Sequence, residues 1–176
     1  MSALKHEIAQ NRPFASPAEE ALLNLLRTAD CLQRAMQRAT RRWGVTSTQY
    51  NVLRILRGAH PAGLTCSAIG ERMIAADPDI TRLLARLKAL KLIHQQRDRR
   101  DKRVLWTHIS GAGLALLAEM DETISRMPAE LLGHLSTPEQ EDLVRLLELA
   151  RSRCGGATAP PTCDGNAGEG SCAAVQ

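Results

Sequence analysis

The chain reads as mainly α with one small β-hairpin, and three observations predict that class. Leucine and alanine recur at a helical period from about residue 16 to about residue 152. Side chains that cap helices stand ahead of several of these periodic runs, often with proline beside them. Only one region departs from the pattern: LIHQQ and VLWTHIS, alternating or β-rich, flank RDRRDKR at residues 97–103, which packs five cations and two aspartates into seven positions.

Taken in order, Ser16, Pro17 and Glu19 form a capping box with proline at the first helical position. Leu22, Leu25, Leu26, Ala29, Leu32 and Met36 then make one apolar stripe on a long first helix that ends near Trp43-Gly44. A second helix starts at Thr46 or Ser47, carries Tyr50, Leu53 and Leu56 inward and stops in GAHPAG. A third, short helix follows from Thr65, with Ile69 and Met73 one turn apart. The fourth spans Pro78 to Leu90, with Asp77 as cap and Ile80, Leu83, Leu84, Leu87 and Leu90 as its core ladder. With that face fixed, Arg82, Ala85 and Ala89 point outward, Asp79 and Arg86 lie on one flank and Thr81 on the other. The hairpin comes next, with RDRRDKR as its tip. Leu114, Leu117, Met120 and Ile124 mark a fifth helix, and Thr137, Pro138 and Gln140 cap a sixth containing Leu143, Leu146, Leu147 and Ala150.

The formal net charge is +4, and the last 23 residues contribute only Asp164 and Glu169, so residues 1–153 carry +6. A mildly basic body suits a nucleic-acid partner without requiring one. Phe14, Trp43, Tyr50 and Trp106 are the only aromatic residues, too few for a base-stacking platform, which argues against single-stranded nucleic acid. Neither a signal peptide nor an apolar run approaching the roughly 18 to 20 residues of a membrane span is evident, and the expected location is the cytoplasm. Residues 154–176 are rich in Gly, Ala, Pro and Thr with no hydrophobic period, which predicts a disordered low-complexity tail.

Three helices followed by a two-stranded hairpin is the order of a winged helix-turn-helix. Duplex DNA accounts for both exposed charge sites. A helix fits the major groove, and the candidate contacts on this one are Asp79, Thr81, Arg82 and Arg86, of which Arg82 or Arg86 could donate a fork of hydrogen bonds to guanine, worth roughly 1 to 3 kcal/mol of discrimination. A narrow tip carrying Arg99, Arg100, Lys102 and Arg103 reaches phosphates or the minor groove, where the potential is most negative. Asp101 is expected to accept from neighbouring guanidinium groups and so hold the tip in one shape. Taken alone, RDRRDKR would equally suit a solvated turn; its coupling to the arginine-bearing outer face of the fourth helix favours DNA. The alternative from another class is a winged-helix interaction module whose basic wing meets an acidic protein.

From about Ala18 to Arg151 the chain resembles the MarR family of dimeric bacterial transcriptional regulators. The resemblance rests on TSTQYNVLRILRGA, LTCSAIGERM, PDITRLLARLKALKLI and DKRVLWTHISGAG in the family's order. Asp101-Lys102-Arg103 occupies the family's Asp-Arg-Arg wing signature, and Ile109-Ser110 through Gly113 its Leu-Thr-x-x-Gly. The resemblance implies a homodimer whose first, fifth and sixth helices interlock on a palindromic site, with Thr81, Arg82, Asp101 and Arg103 facing DNA, and with small phenolic or aromatic effectors between the dimer helices and the DNA-binding lobe. Two positions depart from the family. Lys91 stands where glycine is usual, at a cost on the order of 1 kcal/mol if the backbone is left-handed there, and Ala85 stands where an acidic residue is common. The expected organisation is an N-terminal arm at 1–15 and a domain at 16–153, its DNA-binding lobe at about 46–110 between dimerisation helices at about 16–43 and 111–152. The dimer inference has separate support in the residues, because a winged helix of about 70 residues leaves little room for the apolar stripes of the first and last helices.

Two cysteines are weighed as redox sites. Cys31 lies on the first helix without a convincing thiolate-stabilising neighbour and reads as inert. Cys66 follows Thr65 at a helix start, where the dipole favours a thiolate, although a small packing residue is the plainer reading. Cys154, Cys163 and Cys172 recur every nine residues, and the five histidines are scattered, so neither a metal site nor a cofactor is expected. The chain lacks GxSxG, P-loop and HExxH motifs, and is not expected to be an enzyme.

Overall fold

In a computed structural model of the chain, the residues described are 3–154. Their elements run α1 (Ala3–Glu7), α2 (Pro17–Arg41), α3 (Ser47–Gly58), α4 (Cys66–Arg72), α5 (Ile80–Ala89), β1 (Ile93–Arg97), β2 (Leu105–Ile109), α6 (Gly111–Leu132) and α7 (Thr137–Arg151). This is a mainly helical winged-helix arrangement. The turn of helix at α1, with Leu4 buried, falls inside the segment expected to be an arm. The reading of residues 155–176 as a tail, with Cys163 and Cys172, lies outside the described residues.

Local signals set most of the helix starts. Ser16 accepts from the Glu19 amide at 3.1 Å, with Pro17 at the first helical position of α2. Thr46 and Gln49 form a full capping box on α3, each side chain accepting from the other's backbone N–H at 3.1 and 2.9 Å. Two expected caps are displaced. The cap of α7 is Ser136, whose N–H and hydroxyl both donate to Glu139 at 2.8 and 2.7 Å, rather than the Thr137 and Gln140 pair. The cap of α5 is Asp79 rather than Asp77, so the helix begins at Ile80 and not at Pro78. Asp77 instead accepts from the Asp79 amide at 2.9 Å, spending the capping group two residues early. At other ends, α2 stops at Arg41, with Trp43 and Gly44 in the turn beyond, and Met73 is the C-cap of α4 rather than part of it.

Ile80, Leu83, Leu84 and Leu87 of α5 pack into one core with Tyr50, Val52, Leu53 and Leu56 of α3, Ile69 of α4, and Leu117, Met120, Ile124 and Met127 of α6. Burying a leucine or isoleucine side chain is worth roughly 1.5–3 kcal/mol, so this ladder anchors α5 firmly. Leu90, expected to be its fifth rung, is instead the C-cap and 50% exposed. The helix closes in a Schellman turn: the Lys91 amide donates to the Lys88 carbonyl at 2.9 Å and the Leu92 amide to that of Leu87 at 3.1 Å. Lys91 has φ 58°, so the left-handed position that favours glycine is held by lysine.

The strands β1 and β2 pair antiparallel, from Ile93 opposite Ile109 to Arg97 opposite Leu105. Arg97, expected in the tip, is therefore the last residue of a strand. Leu64 adds a rung beside β2, exchanging backbone bonds of 2.9 and 2.8 Å with Thr107. This third edge, at a residue between the GAHPAG turn and the helix expected from Thr65, is not among the strands read from the sequence. At the hairpin base, Ser110 caps α6 by accepting from Gly113 N–H at 3.0 Å, and its hydroxyl donates to the Lys91 carbonyl at 2.7 Å. A Cβ on Gly113 would lie on the Leu92 carbonyl oxygen and 2.8 Å from Ile109, so the ISGAG run needs glycine there for close approach.

Outside this core, α2 and α7 present apolar side chains to solvent. On α2, Leu22 and Leu26 are 55% and 58% exposed, and on α7 Val144, Leu146 and Leu149 are 56%, 52% and 65% exposed. The guanidinium of Arg57 on α3 grips Asp121 on α6 at 2.8 and 2.9 Å, tying the lobe to that long helix. No helix among the described residues is long and apolar enough to cross a membrane.

Candidate nucleic-acid interface

The outer face of α5 follows from its buried face. Thr81, Arg82, Ala85, Arg86 and Ala89 are all exposed, and Arg82 and Arg86 stand one turn apart. Asp79, at the start of the same helix, accepts from the Arg82 amide at 3.1 Å, so its carboxylate secures the turn from which Arg82 projects. Neither arginine makes an ion pair among the described residues. With alanine at position 85, the turn between the two arginines offers no carboxylate to hold them back.

The second cluster lies at residues 98–103, where Arg99, Arg100, Asp101, Lys102 and Arg103 are all exposed. Here the structure corrects the expected role of Asp101. Its carboxylate accepts from the backbone N–H of Arg103 at 2.9 Å, not from a guanidinium group. The tip is gathered instead by Asp98, which sequence reasoning passed over. One of its oxygens accepts from the amides of Arg100 and Asp101 at 2.7 and 3.0 Å, and the other from the indole N–H of Trp106 at 3.1 Å. Those donors, the Asp101 amide foremost and then the Arg100 amide and the indole, hold the Asp98 carboxyl below its ordinary value. Arg97 completes the frame by donating to the Lys102 carbonyl at 2.7 Å. The one legible signal was an aspartate closing a strand ahead of a polar turn, a common place for a side chain to accept from amides two and three residues on.

A cavity of about 480 Å³ opens between α2, α3 and the segment leading to α5. Leu32, Met36 and Ile74 give it an apolar wall, and Tyr50, Arg54 and Gln37 a polar one. The Arg54 guanidinium stands 5.9 Å from the Tyr50 ring centre. Burial raises the Tyr50 hydroxyl above its usual value despite that cation. Ile74, 87% exposed, is fixed at the cavity mouth by its N–H, which donates to the Asn51 side chain at 3.1 Å.

The cysteines considered for redox chemistry sit on separate helices, Cys31 exposed on α2 and Cys66 half-buried at the first position of α4. Among the described residues no group of three or more His, Cys, Asp or Glu side chains is placed to hold a metal ion.

Comparison with known proteins places this geometry. The model of the MarR family matches residues 43–104, which run from the turn after α2 through the wing tip. The transcriptional regulator HosA of Escherichia coli O157:H7 is 29% identical over 121 residues, covering 66% of this chain and 88% of HosA. A crystal structure of Sco3205, a MarR family transcriptional regulator from Streptomyces coelicolor, in complex with DNA shares the fold at a TM-score of 0.73 and 14% identity, over 84% of this chain and 94% of that one. The crystal structure of a MarR transcription factor from Planctomyces limnophilus is 36% identical, with a TM-score of 0.60, over 78% of this chain and 99% of that one. That identity, held over nearly the whole of the other protein, together with the matching family model, shows that the chain belongs to the MarR family of transcriptional regulators.

Proposed function

We propose that this regulator binds double-stranded DNA sequence-specifically, as a homodimeric repressor on a palindromic operator, and is released by a small aromatic ligand. The observation that carries the reading is a pair of arginines on the outer face of α5, free of ion pairs among the described residues, beside an arginine-rich hairpin tip whose backbone is tied down. In this reading α5 enters the major groove, where a guanidinium fork from Arg82 or Arg86 matches the acceptor pair of guanine and Thr81 reaches a neighbouring base or phosphate. The wing follows the adjoining minor groove with Arg99, Arg100, Lys102 and Arg103, and Asp101 steers Arg103. The fold shared with Sco3205, whose structure contains DNA, supports the docking geometry.

Dimerisation is supported by the exposed leucines and valine of α2 and α7, which a second copy would cover. Two such lobes place recognition helices about 34 to 36 Å apart, one turn of B-DNA, and so read a palindrome. The cavity beside Tyr50 supports the ligand: its apolar wall suits an aromatic ring and Arg54 suits a phenolate or carboxylate. An occupant would press on Ile74 and Ala75, the approach to α5, and so alter the spacing of the two recognition helices. The protein would act in the cytoplasm, with its DNA.

Fluorescence anisotropy tests the reading, with a duplex from the region upstream of the protein's own gene and a shuffled control over a salt series. Selective binding is expected, with log K falling by about 0.9 per phosphate contact for each tenfold rise in salt. Shallow, equal binding to both duplexes would turn the case toward an acidic protein partner for the wing.

A further inference from the structure

The backbone that carries the cations of the wing is held by hydrogen bonds rather than by ion pairs. Between Asp98 and Val104 the chain reverses in a loop closed by two backbone bonds, from the Asp98 amide to the Val104 carbonyl at 2.9 Å and from the Val104 amide to the Asp101 carbonyl at 3.0 Å. The Asp98 carboxylate spans this loop. It binds the amides of Arg100 and Asp101 on one side of the reversal and the Trp106 indole on the returning strand. Trp106 is itself fixed opposite Gln96 in the strand register. All the donors found for Asp98 are uncharged, and it forms no ion pair among the described residues, although five cations lie within five positions of it. Bonds to an ionised acceptor are stronger than neutral ones, and a loop ordered in advance loses less entropy when it binds.

Resting on the DNA-binding reading above, we propose that Asp98 is a positioning residue for DNA recognition: it sets the wing-tip backbone so that Arg99, Arg100, Lys102 and Arg103 project in their binding arrangement, without meeting the duplex itself. Two physical effects then oppose each other when Asp98 is replaced. Removing a negative charge from beside phosphates would by Coulomb's law tighten binding. Losing the ordered tip weakens it, and the proposal requires the second effect to win.

The test compares D98A, D98N, W106F and the D98N/W106F pair with wild type on the upstream duplex, reading affinity, salt slope and thermal midpoint. D98A is expected to bind about tenfold more weakly, the loss corresponding to one or two ordered side chains, with salt slope and midpoint near wild type. D98N keeps an oxygen for the two amides but turns an N–H₂ group toward the indole N–H. It should bind more weakly than wild type and recover when W106F removes the opposing donor. The proposal falls if D98A binds as tightly as wild type or tighter. It also falls if its loss follows a lowered midpoint and D98N/W106F shows no recovery over D98N. R103A serves as the control: indifference to that change would mean the DNA-binding reading had failed, and this proposal with it.

Discussion

Helix α5 and the wing tip carry the same kind of cation but are held in place by different physics. Four buried side chains of α5, Ile80, Leu83, Leu84 and Leu87, lock its rotation, so Arg82 and Arg86 face outward because the opposite face is in the core. The tip at 98–103 has no buried residue, and its shape depends on hydrogen bonds converging on Asp98 with help from Asp101 and Arg97. The first arrangement is stiff and bound up with global stability. The second is local, so it can be altered without unfolding the protein.

The comparison breaks most visibly in the core. Leu87→Ala should destabilise the protein by about 2–5 kcal/mol, because Leu87 is fully buried and leaves a cavity. Urea unfolding followed by circular dichroism checks this, and a loss under about 1 kcal/mol would mean that α5 is not anchored as described. Gly113→Ala forces a methyl against the Leu92 carbonyl where the hairpin base meets α6. A loss of roughly 1–3 kcal/mol is expected in the same assay, and a neutral result would show that the base relaxes freely. At Lys91, with φ 58°, glycine should stabilise by about 1 kcal/mol, seen as a raised melting temperature. An unchanged or lowered value would mean that Lys91 carries no left-handed strain.

The smallest effect should be confined to the wing. The Asp98 carboxyl is held below its ordinary value in the folded chain, so its contribution is complete above the unfolded-chain value and lost as pH falls through the folded one. In a Trp43→Phe background the fluorescence of Trp106 should therefore change in acid below the ordinary carboxylate range. The same step should be missing in D98N. A step centred at the ordinary value would mean that the three donors do not hold the carboxylate in solution.

Legibility in the sequence divides along the same line as the physics. The helices were readable because burial imposes a period, and the outer face of α5 followed once Ile80, Leu83, Leu84 and Leu87 were assigned inward. Periodicity cannot place an end, however. Asp77 and Asp79 are both good caps on either side of Pro78, and only the competition for backbone amides decided for Asp79. Leu90 fitted the ladder by spacing but falls where the Schellman turn has already carried the chain outward. In the tip, spacing carries no information about which carboxylate meets which amide, so the sequence points to Asp101 and its guanidinium neighbours where the structure centres the tip on Asp98 and backbone amides. The rung formed by Leu64 was hidden because a single paired residue leaves no pattern.

If α5 and the wing act on DNA together but read it differently, the affinities of Arg82→Ala and Arg103→Ala for the upstream and shuffled duplexes should fall in different ways. Arg82→Ala should lose roughly 1–3 kcal/mol on the upstream duplex and little on the shuffled one, so that selectivity collapses. Arg103→Ala should weaken binding to both, with a salt slope smaller by about 1. Binding to the upstream duplex that is tight and selective in both variants would rule out DNA recognition by these two elements.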